Sequence, residues 1–199
     1  PSVSERTIMK TVQVRNITIG EGRPKICVPI VGQTKEDILL EAGTFARIPV
    51  DVVEWRVDWF ENVFDTEKVL DVAKDLQTVL KDTPILFTFR TAKEGGEKAI
   101  SNEDYKALNM AVAKSGYVDL VDVEAFTGEE IVKSMIEEAH SYGVKVIASN
   151  HDFDATPAKD EIVRRLRMMQ DYGADIPKMA VMPQSKQDVL TLLDRKSVV

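Results

Sequence analysis

Two residues of this chain could join acid–base chemistry to nucleophilic chemistry: His151 in SNHDFD (149–154) and Lys178 in ADIPKMAVM (174–182). A lysine set in an apolar strand near arginines is desolvated and repelled toward its neutral form, which makes it a nucleophile at neutral pH. A nearby histidine moves protons, a glutamate orients that histidine, and arginines hold an anionic, hydroxylated substrate. Such a set suits a Schiff-base lyase or aldolase that uses no metal and no organic cofactor. Taken singly, each residue has a plainer reading. His151 fits a turn residue just past a strand, Lys178 an exposed strand start, and Glu54 with Arg56 a structural ion pair. The combination has to be judged by the elements that would bring it together.

Strand-length apolar stretches alternate with amphipathic helical ones. KICVPIVG (25–32) reads as a strand, followed by a helix over 34–46 with Thr34 as N-cap. Strands over 50–57, 84–90, 117–126, 144–151 and 174–182 precede helices over 65–80, 102–115, 129–142, 156–172 and 185–193. Gly116, Gly143 and Gly173 read as helix stops, and Pro157 as a first-turn proline. TVQVRNITIGEG (11–22) reads as a β-hairpin turning at Arg15-Asn16. Strand–helix units repeating every roughly 25 to 35 residues imply a parallel sheet, because each helix must return the chain to the same edge. An open doubly wound sheet and a (β/α)8 barrel both fit. No glycine-rich phosphate fingerprint follows the first strand, and the Gly95-Gly96 pair reads as a turn.

Alternation along a strand assigns each polar residue a face. Glu54, Arg56 and Asp58 share one face of their strand with Val52. Thr88 and Arg90 align with Leu86, Asp122 and Glu124 with Leu120, Ser149 and His151 with Ile147, and Lys178 with Ala180 and Met182. Five successive strands thus carry ionisable groups on one face, mostly toward their C-terminal ends, where parallel α/β folds bind ligands. Lys178 sits early in its run. Asp152 and Asp154 read as carboxylates satisfying backbone N–H groups ahead of a helix. Cys27 reads as a buried core thiol, and Met168, Met169, Met179 and Met182 as packing residues.

With 199 residues, 44% hydrophobic and 30% charged, the chain can bury a sizeable core in one domain. No apolar run approaches the roughly 18 residues that a membrane helix needs, and no secretory signal is visible. The single cysteine excludes an internal disulfide, and no Cys/His cluster offers a zinc site. A cytoplasmic location is the expectation. The net charge of −7 argues against a nucleic-acid binder. Residues 1–9, ahead of the hairpin, read as a leader or an expression remnant, and 10–199 as one barrel domain.

EWRVD (54–58), LFTFRTAKEGGE (86–97), SNHDF (149–153) and ADIPKMAVMPQ (174–184) together resemble the signatures of the type I 3-dehydroquinate dehydratase family. The resemblance runs from about residue 10 to residue 193 and takes in the hairpin with GEGRPKICV. It implies a (β/α)8 barrel whose hairpin closes the bottom, a homodimer, and syn dehydration of 3-dehydroquinate to 3-dehydroshikimate in the shikimate pathway of aromatic amino acid biosynthesis. Lys178 matches the lysine that forms the imine, His151 the proton donor and acceptor, and Glu94 the carboxylate that orients the histidine. Glu54, Arg56 and Arg90 match residues that hold substrate hydroxyls. No metal, cofactor, membrane or nucleic acid is implied.

The chain leaves the family pattern after LTLL (190–193) and ends in DRKSVV. Counting units gives six of eight, without the family's carboxylate-binding arginine and closing-loop serine and glutamine. The expectation is therefore a C-terminally incomplete barrel. Alternative readings are a truncated, non-catalytic remnant, or another class I Schiff-base aldolase or lyase.

Overall fold

The alternation of strand and helix is borne out element by element. The structure, a computed structural model, describes residues 10–194. The expected leader and residues 195–199 of the DRKSVV tail lie outside that range. An antiparallel hairpin, β1 (Val12–Val14) and β2 (Ile17–Ile19), comes first. Its turn places Arg15 at φ 50. Six parallel strands follow: β3 (Cys27–Ile30), β4 (Val52–Arg56), β5 (Ile85–Thr88), β6 (Leu120–Glu124), β7 (Lys145–Asp152) and β8 (Ile176–Val181). Between and after them come α1 (Lys35–Phe45), α2 (Thr66–Leu80), α3 (Asn102–Ser115), α4 (Glu129–Ser141), α5 (Lys159–Asp171) and α6 (Lys186–Asp194).

Strand order in the sheet equals chain order, β3-β4-β5-β6-β7-β8. A doubly wound sheet would reverse direction at a switch point; this sheet never does. The core divides in the same sense. Trp55, Phe87, Val121 and Val146 face outward and pack with helix residues such as Ile38, Leu76, Val112 and Met135. On the other face Val52, Leu86 and Leu120 pack against Val12 and Val14 of the hairpin. Helices on one side and a hairpin plug on the other make this six strand–helix units of a (β/α)8 barrel, the second of the two architectures the sequence allows.

Local chemistry explains the boundaries. Thr34, Asp65 and Ser101 cap α1, α2 and α3 by accepting from the N–H three residues on. Gly116 ends α3 in the left-handed region at φ 79. Pro157 is a correction: α5 begins at Lys159, with Ala158 as N-cap. Asp152 Oδ1 accepts from the N–H groups of Asp154 and Ala155, both at 3.2 Å, in a turn just ahead of the expected start, and residues 155–158 stay outside the helix. Asp152 therefore does what the sequence suggests, while Asp154 is exposed and supplies a donor instead. Cys27 is also a correction, since it lies exposed on the edge strand β3. Met169 is fully buried, whereas Met182 is exposed.

One repeated device escapes sequence inspection. Asp51, Asp119 and Asp175 each stand immediately before an even-numbered strand and accept a backbone N–H at the start of its predecessor. The donors are Ile26 at 2.7 Å, Ile85 at 2.9 Å and Val146 at 2.8 Å. They pair the strands two by two at the hairpin end. Arg15 joins the middle pair through Asp119 at 2.7 Å and the Lys81 carbonyl at 2.8 Å, which fastens the hairpin to the sheet. Among the described residues, no helix is long and apolar enough to cross a membrane.

Candidate active site

Register determines which side chains meet at the C-terminal ends of the strands. Glu124 of β6 pairs with Ser149 of β7, and Ser149 with Lys178 of β8. These three lie side by side in one row on the inner face. His151 sits one row nearer the mouth, opposite Ala180. Below them Asp122 shares a row with Ile147 and Ile176, which pack on the apolar floor. The alternation read from sequence thus brings Lys178, His151, Asp122 and Glu124 onto one wall.

Arg90 follows β5 and reaches across this wall. Its guanidinium donates to both Asp122 oxygens at 3.1 and 3.0 Å, to Glu124 at 2.9 Å and to Ser149 Oγ at 3.0 Å. Ser149 Oγ donates in turn to Asp122 at 2.7 Å. Arg90 is only 4% exposed and Asp122 is fully buried. Burial opposes both charges, yet the attraction wins. Arg90 is held above its ordinary range by Asp122 and Glu124, and Asp122 below its own by Arg90 and Lys178. Glu124 moves the other way: burial raises its pKa, with Glu94 adding repulsion, against hydrogen bonds from Thr91 and the pull of Arg90. A buried phenol, Tyr105, accepts from the Glu124 N–H at 3.0 Å and braces the strand from behind.

Glu94 comes from a short 3-10 turn (92–94) closed by Gly95 at φ 84. Gly96 is required there, because an added Cβ would fall 1.8 Å from the Arg90 carbonyl oxygen. The turn carries the Glu94 carboxylate to His151, with Oε2 3.3 Å from Nδ1 and Oε1 3.4 Å from the His151 N–H. Phe153 stacks on the His151 ring with centroids 6.2 Å apart and also covers Gly95. A cavity of about 290 Å³ opens beside Glu94, Glu124 and His151. On β4, Glu54 accepts from Thr88 Oγ1 at 2.7 Å. Arg56 forms a two-pronged pair with Asp58, both contacts at 2.8 Å.

The type I 3-dehydroquinase model matches residues 26–198. The chain belongs to the type I 3-dehydroquinase family. It is 57% identical over 191 residues to 3-dehydroquinate dehydratase of Listeria monocytogenes, covering 96% of this chain and 76% of that protein. It is 54% identical over 185 residues to that of Clostridioides difficile, covering 93% and 72%. The solved type I 3-dehydroquinate dehydratase from Clostridium difficile with covalent modified comenic acid superimposes with a TM-score of 0.92 at 54% identity, over 93% of this chain and 73% of that one. The dehydratase from Geobacillus kaustophilus gives 0.90 at 40% identity, over 93% and 72%.

Two further groups complete the site. Asp58 is fully buried and accepts from Arg56, from the Arg90 N–H at 3.2 Å and from the Glu97 N–H at 3.1 Å, joining three segments. Alternation aligns it with Glu54 and Arg56, although it lies just past β4 in a 3-10 turn (57–59). Asn150 faces away from the inner row yet touches Glu94, and nothing in its spacing marks it.

Proposed function

We propose that this chain dehydrates 3-dehydroquinate to 3-dehydroshikimate through an imine on Lys178. Supporting this is the placement of Lys178 in the row beneath His151, with Glu94 behind the imidazole. The amine adds to the substrate ketone and a water leaves, forming a protonated imine. Electron withdrawal by that imine acidifies the neighbouring C–H, and His151 takes the proton. The resulting enamine expels the β-hydroxyl, which leaves as water with the proton returned by His151. Hydrolysis of the imine then frees Lys178. Net loss is one water. A single histidine that both removes and returns the proton serves one face of the ring, which is a syn elimination.

In this reading Glu54, Arg56 and Arg90 form the polar wall for the substrate hydroxyls. Arg90 acts mainly by holding Asp122, Glu124 and Ser149 in place, since its guanidinium is occupied by them. Residues 10–199 act as one catalytic domain. The family resemblance supports a homodimer in the cytoplasm, which sedimentation of the purified protein and fractionation would check. The direct test is ultraviolet absorbance of the conjugated product on mixing with 3-dehydroquinate. The proposal expects a rise that Lys178→Ala abolishes. A folded chain that leaves the absorbance flat, or a Lys178→Ala variant with parental turnover, would sink it.

A further inference from the structure

Behind the Glu94–His151 pair runs a line of hydrogen bonds that leaves the barrel interior altogether. Asn150 Nδ2 donates to Glu94 Oε1 at 3.0 Å, and Asn150 Oδ1 accepts from Arg165 Nη1 at 2.9 Å. Arg165 lies on α5, outside the sheet. There it is fixed by Glu161 at 2.7 Å, by Asp152 at 3.6 Å and by the Phe126 ring, whose centroid lies 5.6 Å from the guanidinium carbon. Asn150 is only 7% exposed. Neither Asn150 nor Arg165 reaches the inner row where the chemistry is placed.

We infer that Arg165 and Asn150 are positioning residues that set the tautomer of His151 through Glu94, leaving Nε2 as the ring nitrogen free for proton transfer. A guanidinium has five donors and no acceptor. The amide oxygen of Asn150 must therefore face Arg165, since the flipped amide would set donor against donor and oxygen against carboxylate. The NH2 end is then committed to Glu94. Oε1 of Glu94 receives two donors, from Asn150 and from the His151 backbone N–H. Oε2 remains for the imidazole, and an ionised carboxylate only accepts, so Nδ1 must carry the hydrogen. A neutral imidazole has one N–H, which leaves Nε2 unprotonated and able to act as a base. Each link removes one orientation, and the first link is a charge that cannot lose its proton at any relevant pH.

This inference rests on the proposed function for its catalytic meaning but not for its test. Imidazole ¹⁵N spectra at alkaline pH, where the ring is neutral, report directly which nitrogen is protonated. The chain has only two histidines, and His140→Gln assigns the spectrum. The parent should show His151 with separate signals for a protonated Nδ1 and a bare Nε2. Asn150→Ala and Arg165→Gln should draw these two signals toward an averaged pair, while Arg165→Lys, which still only donates, keeps them apart. Turnover measured on the same samples should fall in kcat more than it changes KM. A parent with the hydrogen on Nε2 would overturn the inference. So would unchanged, well-separated signals in Arg165→Gln, a change on the outer helix that stands in if Asn150→Ala does not fold. The spectra decide the relay; product formation by the parent decides the function, so the two can fail separately.

Discussion

Asp122 is the residue whose loss the structure prices most clearly, although no chemical step is assigned to it. It is fully buried, and its two oxygens take two guanidinium hydrogen bonds from Arg90 as well as the Ser149 hydroxyl. Hydrogen bonds to charged groups contribute roughly 1.5–3 kcal/mol each. In Asp122→Asn one Arg90 contact becomes donor against donor and the other loses its charge, so about 3 kcal/mol is the expected cost. Asp122→Ala removes both and approaches the roughly 3–5 kcal/mol of a broken buried pair. Glu124 at 2.9 Å and Glu94 at 3.7 Å still neutralise Arg90 and keep the loss from rising further. Urea midpoints at pH 7 with unchanged m-values would measure it. The pH dependence has a definite sign. The folded pKa of Asp122 is lowered, so its stabilisation is present above the unfolded value of about 3.9 and fades as pH falls through the folded one. The gap between parent and Asp122→Asn should therefore hold at neutral pH and close only in acid. Glu124, whose pKa is raised, works in the opposite sense; because both proteins contain it, the difference between them isolates Asp122. A cost under about 1 kcal/mol at pH 7, or a gap that widens on acidification, would refute the reasoning.

His151→Ala should lower kcat by roughly 10²–10⁴-fold, the usual contribution of a positioned proton-transfer group, while imine formation at Lys178 survives. Glu94→Ala should cost less than that, because the imidazole remains and only its orientation is freed; equal losses in steady-state assays would contradict the division of roles. Gly96→Ala should cost about 3 kcal/mol or more in urea titrations, since its Cβ would meet the Arg90 backbone oxygen at 1.8 Å rather than a movable side chain. Stability within about 0.5 kcal/mol of the parent would show that the loop has another conformation available.

Period-two alternation was enough to place Glu54, Asp122, Ser149, His151 and Lys178 on one face, because a strand gives its side chains no other choice. Helix ends were legible for the same local reason: Thr34 and Gly116 act through their own backbone neighbours. Glu94 was invisible to this logic. It arrives from a turn whose shape depends on Gly96 meeting Arg90, so only the motif around it gave it away. The start of α5 differs from the sequence expectation because a proline is compatible with a first turn and equally with the extended stretch just before one, and Pro157 lies in the latter. Cys27 reads as a core thiol in sequence, but its exposure depends on what flanks β3, which lies at an edge of the described sheet. Asn150 and Arg165 are 15 residues apart on a strand and a helix. Their contact follows from how α5 lies on the sheet, which no local pattern encodes.

The central claim is that Lys178 forms the imine. Sodium borohydride added to the chain in the presence of 3-dehydroquinate reduces any imine to a stable amine, and peptide mass mapping locates it. The account predicts one substrate-derived adduct, on Lys178, present in His151→Ala and absent in Lys178→Ala. An adduct on any other lysine, or one that persists when Lys178 is removed, would contradict it.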